Sequence, residues 1–494
     1  MKWQINKGGG IHIKADRHIN NIWIWLIILL SLLMRICFIK NPSWDISSCI
    51  LMGKYIYSFG KVGLWESLRP ILYPAVLGLF WKLGGEPIVW ENVLEILFGL
   101  GSIYATYLIC KTIFDKRTAI LSAFFLAFSS TCLIWNDPRI PSTFFGLISI
   151  YSILKNKSFP SGILIAIAFL IHFSQIFLFI YLFVAIILLP PFFPFKKQRF
   201  IKLRRFVFGF TLIIVPFLIS NAIMYKNSLC SFIIYFKAVA AYSYNWYIEP
   251  FYYIKYLIAW ESPCLIFYII AIIFIIKRKH YLNGNILIIL IVSFLSFIFI
   301  TIFHTQQLRY LISVVPYLYI ISSYGITETY DYLNKKILPL SLLLCIPIVF
   351  YLYFGYTNIK NADLQPVKLD IFQRYIQKNE SNLKGNIWIS NPTMLVYSNL
   401  KAAELMYYPI FDINKARELR CSLNSADVIL FLSTDFPCAH PDNNNECAQE
   451  KKQLIEDIIS KFDVEVYLVN EHNKFVGGVF KHRPYSKQIK DTSN

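Results

Sequence analysis

The chain has 494 residues, of which 56% are hydrophobic and only 16% charged, with a formal net charge of +19. So apolar a composition excludes an ordinary soluble globular protein. Nucleic-acid binding is not indicated either. Residues 357–494 hold 17 basic and 17 acidic side chains, so the other 31 basic and 12 acidic residues place the whole excess in membrane loops.

The first apolar run, residues 21–39, is long enough to cross a bilayer and is followed by no small-residue cleavage site, so it is expected to remain as an anchor. Trp44-Asp45 follows it directly. A carboxylate there sits at the membrane–water boundary, where desolvation can raise its basicity and a lipid-borne substrate can reach it. It also reads as an ordinary loop aspartate. Arg69-Pro70-Ile71-Leu72-Tyr73-Pro74 then forms a rigid, Pro-flanked turn back into apolar sequence.

Further spans are predicted at 92–113, 118–135, 140–154, 206–224, 262–276, 285–303, 308–328 and 337–356. Residues 161–189 are too long for one span and are interrupted by His172-Phe173-Ser174-Gln175. Lys155 and Lys157 precede this region, and Lys196, Lys197, Arg199, Lys202, Arg204 and Arg205 follow it, so both flanks read as cytoplasmic. Two short helices that enter and return satisfy both flanks. The expected architecture is an all-α polytopic membrane domain of about eleven spans over 1–356 and an extracytoplasmic α/β domain over 357–494. The N-terminus is expected inside the cell membrane.

That map exposes 40–91, 136–139, the aromatic-rich loop 225–261 and 304–309 on the outer face. The loop carries Tyr242, Tyr244, Trp246, Tyr247, Tyr252 and Tyr253, as an interfacial aromatic belt or a lid over a sugar or lipid. In the tail, residues 387–389, 427–432, 464–469 and 475–480 read as strands, and 412–422 and 447–462 as helices. Gly477-Gly478 reads as a bulge. Cys438 and Cys447 bracket a polar loop and are read as a disulfide; zinc held with His440 is the other possibility, though no fourth ligand is evident.

The outer face gathers Asp45, Glu66, Glu86, Asp137, Glu249 and Glu261 with Arg69, Lys82, Arg139, His304 and Arg309. A carboxylate that deprotonates a hydroxyl, beside cations that stabilise a departing phosphate, is the minimum equipment for glycosyl transfer from a phospholipid. Arg309 opens a span where a lipid phosphate would lie; a snorkelling anchor is the other reading. No phosphate-cradling glycine loop or dinucleotide fingerprint is present, so a soluble nucleotide donor is disfavoured.

Three local patterns resemble the polyprenyl-phosphate-dependent glycosyltransferases of the GT-C superfamily, near the protein O-mannosyltransferase and aminoarabinose-transferase branch. They are Asp45, Gly53, Tyr55 and Gly60 leading to the 69–74 turn; Ser161-Gly162 with His172; and Gln306-Gln307-Leu308-Arg309-Tyr310-Leu311 running to Pro316. The resemblance implies inverting transfer of a sugar from a polyprenyl monophosphate to an acceptor hydroxyl. It makes Asp45 the general base or acceptor-orienting group. Asp137 is the second catalytic candidate, and Arg69, Arg309 and His304 are the candidate phosphate contacts; no cofactor is evident, and a divalent cation is an alternative that the sequence does not indicate. Ile46 and Ser142 stand where many members carry further carboxylates. A lipid or sugar transporter and a non-catalytic envelope scaffold are the alternatives. No repeat links the two halves, and ionisable residues are scarce within the spans, which disfavours a transporter.

Overall fold

The computed structural model describes residues 15–39, 41–188, 196–244, 251–280, 283–302, 307–334, 353, 369–406, 413–435, 444–469 and 475–482. The expected span 337–356 and the boundary at 356/357 therefore lie essentially outside the described residues.

The chain opens with α1 (Ala15–Cys37) and turns into α2 (Trp44–Tyr57). Ser43 starts α2 by accepting a hydrogen bond from the Ile46 N–H, which leaves Asp45 in the first turn. A carboxylate is favoured there by the helix dipole. After the 69–74 turn come α3 (Leu72–Lys82) and α4 (Pro87–Ile113).

α2 and α3 touch backbone to backbone. A Cβ on Gly53 would lie 2.4 Å from the Pro74 carbonyl oxygen, and one on Gly78 would lie 2.3 Å from the Gly53 oxygen. Only glycine allows that approach. Gly53→Ala is therefore expected to lower the unfolding temperature and the monodisperse fraction in detergent, at a cost of about 1–3 kcal/mol for overpacking. Unchanged thermal unfolding of the purified variant would count against the close crossing.

The remaining helices are α5 (Lys116–Ala127), α6 (Ser130–Ile134), α7 (Arg139–Leu154), α8 (Ser158–Ile171), α9 (Ile176–Leu188), α10 (Lys196–Tyr225), α11 (Cys230–Tyr244), α12 (Tyr252–Tyr256), α13 (Phe267–Lys277), α14 (Gly284–Ile302) and α15 (Val315–Asn334). Among the described residues, Pro87–Ile113, Gln198–Tyr225 and Gly284–Thr301 are long and apolar enough to cross a membrane, and six further apolar helices are shorter. The 161–189 region is two helices, α8 and α9, joined by a 3-10 turn at Phe173–Gln175.

Three expected elements differ in detail. The 118–135 span breaks after α5, because the Ser129 hydroxyl caps α6 by accepting the Cys132 N–H. The 308–328 span begins as a 3-10 segment, Leu308–Ser313, and becomes α-helical at Val315, with Pro316 in the first turn where its missing N–H costs nothing. The 225–261 loop is mostly helical: α11, α12 and a π-turn at Leu257–Glu261, while Trp246, Tyr247 and Glu249 lie outside the described residues. Tyr235 packs on Phe173 at 5.5 Å and Phe232 on Phe169 at 5.9 Å, while Tyr252 packs within α12 on Tyr256 at 4.5 Å.

The tail builds α16 (Leu369–Asn379), β1 (Ile387–Ile389), β2 (Ala402–Leu405), α17 (Ile413–Ser422), β3 (Val428–Leu432), α18 (Asn444–Lys461), β4 (Phe462–Val469) and β5 (Phe475–His482). The sheet order is β2-β1-β3-β5-β4, with β1 parallel to β2 and β3, and β5 antiparallel to β3 and β4. Gly477 and Gly478 pair in register with Leu432 and Phe431 of β3, while against β4 the register shifts beside Gly477, between Leu468 and Val469. Glycine is needed because a Cβ at Gly477 would lie 2.4 Å from the Phe431 oxygen.

The sheet and the helical part are joined through α2. Gly63 N–H donates to Leu400 O and Gly63 O accepts from Ala402 N–H, both at 2.9 Å, so this segment covers the β2 edge. Leu51 and Leu64 belong to the sheet's own core. Lys54 Nζ donates to Val396 O and Ser398 O at 2.9 Å each, and burial pulls its pKa down to about 8 despite Glu380 and Glu86 nearby. Ser47 and Thr393 share a hydroxyl–hydroxyl bond of 3.0 Å, two residues from Asp45.

Candidate active site

The N-terminal turn of α2, the 66–69 turn, the α6–α7 link and the 3-10 entry to α15 converge on one charged cluster. Asp45 Oδ1 accepts from Arg69 Nη1 at 2.7 Å, and Asp45 Oδ2 accepts from Arg309 Nη1. Burial works against ionisation of Asp45, but Arg309, then Arg69 and Arg139, hold its carboxyl well below the usual carboxylate range. Arg69 is steadied from behind by Glu66, with Nε to Oε2 at 2.5 Å, and Arg309 by Gln307 Oε1 at 2.6 Å.

Asp137 faces the same cluster but is turned toward α7. Its Oδ1 accepts the Arg139 N–H at 2.8 Å, its Oδ2 accepts Arg139 Nη1 at 2.7 Å, and Arg309 Nη1 lies 3.9 Å from Oδ2. This Asx turn starts α7 and fixes Arg139, whose guanidinium lies 4.3 Å over the Tyr310 ring. Arg139 is 4% exposed, and its Nε has no hydrogen-bond partner among the described residues. A buried guanidinium with an unused N–H is an incomplete anion site.

Arg139 also lines a narrow, mainly apolar cavity of roughly 60 Å³ between α7, α9, α11, α14 and the turn before α15, with Gln175, Tyr181, Tyr235, Phe299 and Tyr310 among its walls. It is the one charged side chain that lines this cavity among the described residues. The arrangement sets one cationic side chain on a mainly apolar wall.

Of the residues expected from sequence, the structure brings together Asp45, Asp137, Arg69 and Arg309. His304 and Cys438 lie outside the described residues, and of Cys447 only its backbone in α18 is described. Glu261 is turned inward. It accepts Ser129 Oγ at 2.9 Å, Thr131 N–H at 2.6 Å and Tyr319 Oη at 2.8 Å, which ties α6 to α15. Glu86 and Lys82 are exposed on the α3–α4 turn. His172 bonds Ser174 Oγ at 2.7 Å and meets the Tyr235 ring edge-on, at the α8–α9 break beside the cavity. Among the described residues no group of three or more His, Cys, Asp or Glu side chains is placed to hold a metal ion.

Arg139 was among the cationic candidates but outside the phosphate set. Its signal was available, since Asp137-Pro138-Arg139 places an arginine at a span entry just as Gln307-Leu308-Arg309 does. Glu66 stood among the outer-face carboxylates and Gln307 in the 306–311 pattern, but no local signal shows that they hold the arginines.

A family model described as dolichyl-phosphate-mannose-protein mannosyltransferase matches residues 68–220. Comparison with curated protein sequences finds no match. Among solved structures, the Archaeoglobus fulgidus oligosaccharyltransferase tethered to an acceptor peptide with an NVT sequon aligns at TM-score 0.62 and 12% identity, over 94% of this chain and 74% of that one. ArnT from Cupriavidus metallidurans bound to undecaprenyl phosphate aligns at TM-score 0.56 and 12% identity, over 96% of this chain and 99% of that one. The chain shares the fold of these membrane glycosyltransferases, and the family model matches under a third of its length. A third GT-C structure, AglB from Archaeoglobus fulgidus with an inhibitory peptide and a dolichol-phosphate, aligns at TM-score 0.55 and 12% identity over 93% and 74% of the two chains. At such identities the structural likeness speaks for the fold. The residue roles in this protein rest on its own geometry.

Proposed function

We propose that this protein is a GT-C glycosyltransferase that moves a sugar, with inversion, from a polyprenyl monophosphate to an acceptor hydroxyl at the outer face of the cell membrane. The observation that carries this reading is the apolar cavity whose one charged wall residue, Arg139, stands beside the Asp45–Arg309–Asp137 cluster. Two GT-C structures of the same fold were solved with undecaprenyl phosphate and with a dolichol-phosphate, which supports a lipid-linked donor here.

The donor phosphate takes Arg139 and one face of Arg309, with its isoprenoid chain running out along the apolar wall. The acceptor hydroxyl gives its proton to an Asp45 oxygen while its own oxygen attacks the anomeric carbon. The carbon–oxygen bond to phosphate breaks on the opposite face, and its electron pair leaves on the polyprenyl phosphate. Charge-assisted hydrogen bonds from the arginines strengthen as that charge builds. Asp45 then returns its proton to water. Asp137 fixes Arg139 in place and does not receive the proton.

The orientation belongs to the same proposal: N-terminus inside, sheet domain outside, following the basic-residue asymmetry. The test is transfer by the purified protein in lipid nanodiscs, with radiolabelled polyprenyl-phosphate sugars and a panel of hydroxyl acceptors. Labelled product with release of polyprenyl phosphate supports the reading. Movement of labelled lipid between leaflets without any transfer would overturn it in favour of a flippase.

A further inference from the structure

Without donor, both oxygens of Asp45 are taken, one by Arg69 and one by Arg309. A carboxylate held by two guanidinium groups is a poor base. Some group must therefore loosen that hold before a proton can be accepted.

Among the described residues the charges in the cluster balance: Arg69, Arg139 and Arg309 face Asp45, Glu66 and Asp137. A sugar phosphodiester brings one further negative charge. It bids most easily for Arg309, whose side chain is 23% exposed, against 12% for Arg69 and 4% for Arg139. Arg69 cannot follow, because Glu66, at 1% exposure, grips its Nε from three residues away at 2.5 Å. The Arg69 N–H also donates to the Glu66 carbonyl at 3.2 Å. When Arg309 turns to phosphate, Asp45 keeps a single partner whose charge already has a counter-ion.

We infer that Glu66 is a positioning residue: by dividing the charge of Arg69 between two carboxylates, it leaves Asp45 basic enough to accept a proton once donor phosphate has engaged Arg309. This rests on the transferase reading above. Without the Glu66 charge, the full attraction of Arg69 falls on Asp45 and on the incoming phosphate. Coulomb interactions at these distances are strong in a partly buried site. The proton-transfer step then slows while donor binding holds or tightens. A side chain that merely supports the fold would weaken both together.

Glu66→Gln keeps an oxygen acceptor for Arg69 Nε and removes only the charge. The full-length protein in nanodiscs is assayed with a labelled undecaprenyl-phosphate sugar for turnover and with undecaprenyl phosphate itself as the binding probe. Glu66→Gln is expected to lower kcat by about 10-fold or more, with the KM for donor and the Kd for undecaprenyl phosphate unchanged or lower. Glu66→Asp, which restores the charge on a shorter arm, is expected to recover part of kcat. Wild-type kcat in Glu66→Gln would overturn the assignment. So would a parallel loss of kcat, probe binding and unfolding temperature, which marks a purely structural role. If the wild-type protein transfers sugar from no polyprenyl-phosphate donor, the transferase reading itself fails, and the role of Glu66 falls with it.

Discussion

Asp45→Asn is expected to abolish transfer while leaving the protein folded and able to bind donor phosphate. The carboxylate sits in the first turn of α2, capped by Ser43 and tied to the sheet domain two residues later through Ser47 and Thr393, so its place does not depend on its charge. Asparagine keeps the shape and one acceptor for Arg69 or Arg309 but has no basic lone pair to receive a proton. Loss of a general base costs about 10²–10⁴-fold in rate. The two arginines, relieved of their counter-ion, should hold undecaprenyl phosphate at least as tightly as before. Turnover and probe binding measured on the same preparation check both halves. Activity above about a tenth of wild type would mean that another group takes the proton.

Arg309 is the second large effect. Its guanidinium uses Nε on Gln307 and Nη1 on Asp45, with Asp137 at 3.9 Å, and its planar fork lets one face turn to phosphate while the other stays anchored. Arg309→Ala is expected to lower kcat by about 10²-fold or more, because stabilisation of the leaving phosphate is lost where charge develops. Arg309→Lys should recover only part of this, since an ammonium cannot hold Gln307 and phosphate in the same geometry. Kinetics on alanine and lysine variants of matched expression check this. A membrane anchor gives the opposite pattern, with full activity in the lysine variant and an effect of alanine on expression alone.

The patterns that led to these residues differ in kind. Apolar runs and their basic flanks are local properties of the chain, so the long apolar helices at Pro87–Ile113, Gln198–Tyr225 and Gly284–Thr301, the α8–α9 pair and four of the five strands were legible in the sequence. The parallel edge strand β2 was not. It is only four residues long, Ala402–Leu405, and it exists because Gly63 and β1 supply its hydrogen bonds from distant sequence. The helical character of 230–244 was hidden by its aromatics, which suit an interfacial loop and a packed helix equally well.

The sequence by itself determined that this is an apolar, multi-helix chain with a polar α/β tail, and that arginines and aspartates collect at the ends of its apolar runs. Periodicity, hydropathy and charge bias are read one segment at a time, and each segment carries its own signal. Only the tertiary structure decided which of those charges meet. Asp45 and Arg309 are 264 residues apart, and Ser47 and Thr393 are 346 apart. Glu66 gains its role solely by standing behind Arg69, and Arg139 by facing a cavity assembled from four helices and a turn. A hydrogen bond or an ion pair depends on ångström distances between side chains that no local pattern encodes. Packing of the helices sets those distances, and with them the chemistry of the site.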